Sequence, residues 1–184
     1  MKKLILAFIS LLCLSPLAHS KDIDCLEIQN DMTLMIQVRD YSAMLKAADL
    51  ALKNCKAYME KHSTIPHLSD MEGYYKFYGL KAEAYLGLGK FEDALKTSQE
   101  CIDKRYSTVD CHLSKWKSLF KLGRYQEARE FKKTLYFIIQ NKIDLVNQID
   151  ISLQPKVLQP LINEQRRSEI GKLNAYKELL DRSD

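Results

Sequence analysis

Ala84-Tyr85-Leu86-Gly87-Leu88-Gly89-Lys90-Phe91-Glu92-Asp93-Ala94-Leu95 is echoed by Ser118-Leu119-Phe120-Lys121-Leu122-Gly123-Arg124-Tyr125-Gln126-Glu127-Ala128-Arg129. Leu88, Gly89, Phe91 and Ala94 recur as Leu122, Gly123, Tyr125 and Ala128, every pair 34 residues apart. A fixed offset of this size marks a stacked helical unit, because one supersecondary element cannot bury its apolar face alone and needs a neighbour. Gly89 and Gly123 suit the end of a first helix, where a left-handed backbone costs glycine little. Phe91 and Tyr125 then open a second helix and are expected to fill the wedge between the two. Ala94 and Ala128 are small, which allows the antiparallel helices to approach closely.

The pattern Leu-Gly-basic-aromatic-x-acidic/amide-Ala resembles the core of a tetratricopeptide repeat, whose unit is a helix-turn-helix of that length. The resemblance covers two full units. A third, degraded unit lies upstream, where Tyr41 keeps the aromatic while Arg39 stands in place of the glycine and Met44 in place of the alanine. Ser69-x-x-Glu72 and Ser107-x-x-Asp110 look like capping boxes that start the first helices of the two clear units near Asp70 and Thr108. Between the first two units, a second helix running to about Lys61 and a turn over His62 to Pro66 absorb the extra residues, since proline and its predecessor resist helix. After Gln140 the pattern stops, and Asn141 to Leu153 reads as a short helix or an irregular segment before Pro155 and Pro160. Leu161 to Leu180 reads as a terminal helix with one polar face that caps the array, or alternatively docks a partner. The expected fold class is therefore all-α, an α-α superhelix of about three hairpins plus a C-terminal capping helix. The expected divisions are a signal peptide over 1–20, repeats over 21–141, and a linker with the capping helix over 142–184.

The N-terminus supplies the compartment. Met1-Lys2-Lys3, an apolar stretch from Leu4 to Leu14, and Ala18-His19-Ser20 have the order of a secretory signal peptide cut after Ser20. The stretch is too short for a membrane span of about 20 residues, and no later run is long enough, so no stable membrane insertion is expected after cleavage. The mature 164 residues carry 26 basic and 24 acidic groups with the signs mixed along the chain. That lacks the clustered basic patch of a nucleic-acid face. Cleavage leaves Cys25, Cys55, Cys101 and Cys111, an even set in a chain bound for a periplasmic or secreted, oxidising location. Four cysteines allow three pairings. In a helical hairpin the start of the first helix lies beside the end of the second, so Cys25–Cys55 within unit one and Cys101–Cys111 between units two and three match the repeat best.

Chemistry is sparse. His62 and His67 flank the turn without a cysteine or carboxylate cluster at metal-ligand spacing, so no metal is expected. Cys111 and His112 are adjacent, and neighbours on a helix point about 100° apart rather than at each other, which favours a structural pair. No phosphate-cradling glycine loop or nucleophile motif occurs, and neither an enzyme nor a cofactor is expected. An all-helical enzyme is the less favoured class, and a secreted effector or toxin-associated protein the alternative.

The resemblance implies a protein-binding scaffold or adaptor, one that supports assembly of an envelope or secretion complex, whose concave face takes up a protein or peptide. Carried onto matching positions, that face includes Lys76, Gly79, Glu83 and Leu86 of unit two and Asp110, Leu113, Lys117, Phe120 and Lys121 of unit three. Leu86, Leu113 and Phe120 are the expected apolar anchors. Glu83 and Lys117 occupy the sites where family members that clamp a terminal carboxylate carry asparagine, so that mode is not expected. Trp116 departs from the small residue usual in the first helix, and Tyr74, Tyr75, Phe77 and Tyr78 mix core positions with a candidate contact stripe.

Overall fold

The computed structural model of the chain describes residues 24–61, 73–104, 108–153 and 155–183. The signal segment, the Ser69-x-x-Glu72 box, Ser107 and the His62 to His67 turn lie outside them. Eight α-helices and two short 3-10 turns make up the described residues, without a strand. Unit one is α1 (Cys25–Gln37) and α2 (Tyr41–Asn54), followed after a bend at Cys55 by the short α3 (Lys56–Lys61). Unit two is α4 (Lys76–Gly87) and α5 (Phe91–Lys104), unit three is α6 (Val109–Lys121) and α7 (Tyr125–Asn147), and α8 (Gln159–Asp181) ends the array. The fold is an all-α, tetratricopeptide-like superhelix. Each unit's first helix packs on its own second helix and on the next unit's first: α4 meets α2, α5 and α6, and α6 meets α5 and α7.

One turn geometry joins the helices of all three units. Gly89 has φ +71° and Gly123 φ +73°, and the non-glycine Arg39 adopts φ +59° at the matching place in unit one. In each, two amides fold back on the helix end: Arg39 N donates to Ile36 O at 3.1 Å and Asp40 N to Met35 O at 2.9 Å. Gly89 N and Lys90 N do the same to Leu86 O and Tyr85 O, and Gly123 N and Arg124 N to Phe120 O and Leu119 O. These bonds satisfy helix carbonyls that would otherwise lack partners, and the left-handed residue makes them reachable. The degraded unit is thus complete in backbone terms. Its second helix gains a cap as well, since Asp40 accepts from Ala43 N at 3.0 Å. The α6 start differs from expectation: its N-cap is Thr108, which makes no side-chain cap bond.

The alanines behave as expected, with Ala94 and Ala128 both buried. Tyr41 lies over Gly87 of the next unit, where a β-carbon would run into its ring. Tyr125 does not fill a wedge as expected and is 59% exposed.

Two larger cores and a smaller one result. Met32, Met44, Ala48, Ala51, Phe77 and Ala84 join units one and two. Val109, Trp116, Leu119, Leu135, Ile139, Leu173 and Leu180 join unit three to α8. Tyr78, Ile102 and the pair Cys101 and Cys111 form the small core between them. Both disulfides connect the expected partners, Cys25 with Cys55 at a Cα separation of 5.7 Å and Cys101 with Cys111 at 6.1 Å.

Unit three departs most from the sequence reading. Its second helix continues to Asn147, passing through the expected boundary at 141 without a break. Leu135, Ile138, Ile139, Lys142, Ile143 and Val146 extend one buried helical stripe, and α8 covers it. Trp116 fits this enlarged core at 6% exposure, so the register of unit three stands. The aromatic run that leads into α4 is also packed inward. Phe77 is fully buried, Tyr75 stacks on Tyr78 with centroids 6.3 Å apart, and Tyr74 donates to Leu52 O at 2.5 Å across to α2. It tethers units one and two rather than forming an exposed stripe.

Candidate partner-binding groove

The first helices α1, α4 and α6 all contribute to the wall of one cavity, through Thr33 and Ile36, Lys76 to Glu83, and Asp110 to Lys117. Gly79 permits the close approach of α4 and α6, since a β-carbon there would stand 3.0 Å from Asp110 Cβ. Between these helices and α8 lies a cavity of 360 Å³, whose walls include Ile36, Lys76, Leu80, Glu83, Lys117 and Tyr176. A second cavity of 380 Å³ continues toward the ends of α4 and α6, between Leu86, Lys121, Phe120 and Leu179, and shares Glu83 and Lys117 with the first. Together they form one groove whose walls mix apolar side chains with Lys76, Glu83, Asp110, Lys117, Lys121 and Lys172.

All seven residues expected on the concave face line this groove. Lys76, Glu83, Leu113 and Lys117 border the first cavity, and Leu86, Phe120 and Lys121 the second. Their availability differs. Phe120 is 41% exposed, whereas Leu113 is 4% exposed and belongs to the core of unit three, so it forms the floor and is not an anchor. Glu83 and Lys117 meet across the 34-residue repeat, with Lys117 Nζ donating to both carboxylate oxygens at 3.0 and 3.2 Å. The two residues that take the place of the asparagines therefore neutralise one another.

The sequence reading missed the contribution of α8. Lys172 Nζ donates to Asp110 Oδ2 at 3.0 Å, and Tyr176 Oη donates to Asp110 Oδ1 at 2.8 Å, clasping α8 to the first turn of α6. Burial opposes the charge on Asp110, but Lys172, the Tyr176 hydroxyl and Lys76 outweigh it and hold the carboxyl below its usual range. Burial, followed by the Asp110 charge, pushes the Tyr176 hydroxyl upward, so it stays a donor. Tyr136 Oη adds a bond to Lys177 O at 3.3 Å from the α7 side. The helix thus caps the array and walls one end of the groove. The only sequence signal for this was Asp110 in the first turn of α6, which reads as a helix-start acid until a lysine 62 residues later arrives beside it.

His112 is fully buried, stacks on Phe131 at 5.8 Å, and places Nδ1 3.1 Å from Thr108 O. Burial lowers its basicity, with the Thr108 carbonyl acting in the opposite sense. Cys111 is engaged in its disulfide, so the adjacent pair is structural. Among the described residues, no group of three histidine, cysteine or acidic side chains is placed to hold a metal. None of the described helices is long and apolar enough to cross a membrane.

Residues 67–133 match the family described as anaphase-promoting complex, cyclosome, subunit 3, a tetratricopeptide-like repeat family. The match spans units two and three up to the middle of α7 and covers less than half of the 184-residue chain. No curated protein and no solved structure matches.

Proposed function

We propose that this chain is an exported protein-binding module whose concave groove takes up a segment of another protein, and that it serves as a scaffold or adaptor in assembling a complex of the cell envelope or a secretion machine. The observation that carries the reading is the lining of the groove by equivalent positions of successive first helices: Lys76 and Asp110, Glu83 and Lys117, Leu86 and Phe120 are pairs 34 residues apart. A peptide laid along such a surface meets a repeating set of apolar walls and polar groups, which suits extended or helical segments better than a small metabolite. Export is supported by the signal-like order of residues 1–20 and by two disulfides, which persist in oxidising compartments.

The test is site-specific photocrosslinking in living cells, with the probe at Lys121 in the groove and, as control, at the exposed Lys96 on the outer helix α5. A discrete protein captured from Lys121 alone, and lost when Lys76→Glu is added, is the expected result. Equal capture from both positions, or none from Lys121 in folded and exported protein, removes the groove reading.

A further inference from the structure

The corner where α6 turns into α7 leaves aromatic surface uncovered. Phe120 and Tyr125 are 41% and 59% exposed, and their rings meet edge to face at 5.2 Å. Phe120 also leans on the buried Trp116 with centroids 6.0 Å apart, which fixes the ledge from behind. Beneath it opens a cleft of 710 Å³, bounded by these rings with Ala128, Arg129 and Lys132. It lies outside the concave groove and touches it only through Trp116 and Phe120, which line both. Rigid aromatic side chains beside a concavity are the usual anchors of protein contacts.

Charge selects the occupant. Arg129 borders the cleft, no acid lies among its described lining residues, and the adjoining end of the groove adds Lys121 beside the Lys117–Glu83 pair. Glu127, the acid in the first turn of α7, is engaged by Arg124 at 2.6 Å. We propose that this corner anchors an acidic segment of a partner protein, seating a large apolar side chain between Trp116, Phe120 and Tyr125 and setting a carboxylate against Arg129. The inference rests on the reading of the chain as a protein-binding module and adds a second contact outside its groove. A protein segment suits the corner better than single-stranded nucleic acid, because the basic groups border one cleft and do not continue as a track along the chain.

The experiment pans a phage-displayed library of random peptides on the disulfide-intact protein. Winning sequences, resynthesised without tryptophan, are then titrated against the emission of Trp116, the only tryptophan in the chain. The expected consensus is a phenylalanine, tyrosine or leucine flanked by aspartate or glutamate. Arg129→Glu should weaken binding tenfold or more, while Lys76→Glu in the concave groove changes it less than twofold. Three outcomes overturn the proposal: no acidic consensus, tighter binding of a thymidine oligonucleotide than of any selected peptide, or loss with Lys76→Glu but not with Arg129→Glu. The last would seat the peptide in the concave groove, leaving the proposed function standing and the corner site refuted.

Discussion

At the scale of single residues, the backbone asks the same thing at three places and receives glycine at only two. Arg39 holds φ +59° where Gly89 and Gly123 hold +71° and +73°. A side chain in that region costs about 1–2 kcal/mol, partly offset because glycine is freer in the unfolded chain. Arg39→Gly should therefore raise stability by about 0.5–1 kcal/mol, read as a higher urea midpoint at unchanged slope. His112 supplies a pH dependence. Its folded basicity lies below the ordinary 6.5, so the unfolded chain binds a proton that the folded one refuses. Stability attached to this residue is complete above pH 6.5 and falls as pH drops below it. Asp110 acts in a lower window, because its depressed carboxyl contributes above the ordinary 3.8 and loses its effect only in stronger acid. The urea midpoint should decline between pH 7.5 and 5.5, and His112→Leu should flatten that decline even if its absolute stability is lower.

At the scale of elements, α8 determines how the array ends. Its Leu173 and Leu180 are fully buried against α6 and α7, while Leu179 borders the groove and Leu161 is exposed. The Asp110 clasp orients that contact. Asp110→Ala removes the carboxylate that Lys172 and Tyr176 share and should cost about 1–2 kcal/mol, on the scale of a part-buried charged hydrogen bond. Hydrogen exchange should localise the loss, with faster exchange in 159–181 and little change in α1 and α2. Unchanged protection of α8 in this variant would mean that Leu173 and Leu180 hold the helix without the clasp. The length of α7 follows from the same packing. The sequence reading ended the repeats at 141 because the family pattern stops there, yet the buried stripe from Leu135 to Val146 continues to its true end near Asn147.

At the scale of the whole molecule, two larger cores meet through a small one, and each disulfide spans a vulnerable place. Cys25–Cys55 closes the first hairpin, and Cys101–Cys111 ties unit two to unit three. With sequence separations of 30 and 10, chain-entropy arguments assign them about 3.5 and about 3 kcal/mol. Reduction of both should lower the melting temperature by about 10 °C or more, with the Cys25–Cys55 pair contributing at least as much as the other when each is replaced by alanines. The sequence by itself determined the period, the helix-turn-helix unit and the cysteine pairing, because each depends on residues at short or repeating separations. Left-handed turns, small interhelical residues and antiparallel hairpin ends are all written locally. Only the tertiary structure decided that Tyr41 packs over Gly87 of the next unit, that Leu113 is floor rather than anchor, that Glu83 and Lys117 cancel, and that α8 walls the groove through Asp110. Those outcomes depend on which surfaces meet after the units have stacked, and burial and charge pairing between residues tens of positions apart have no local signature.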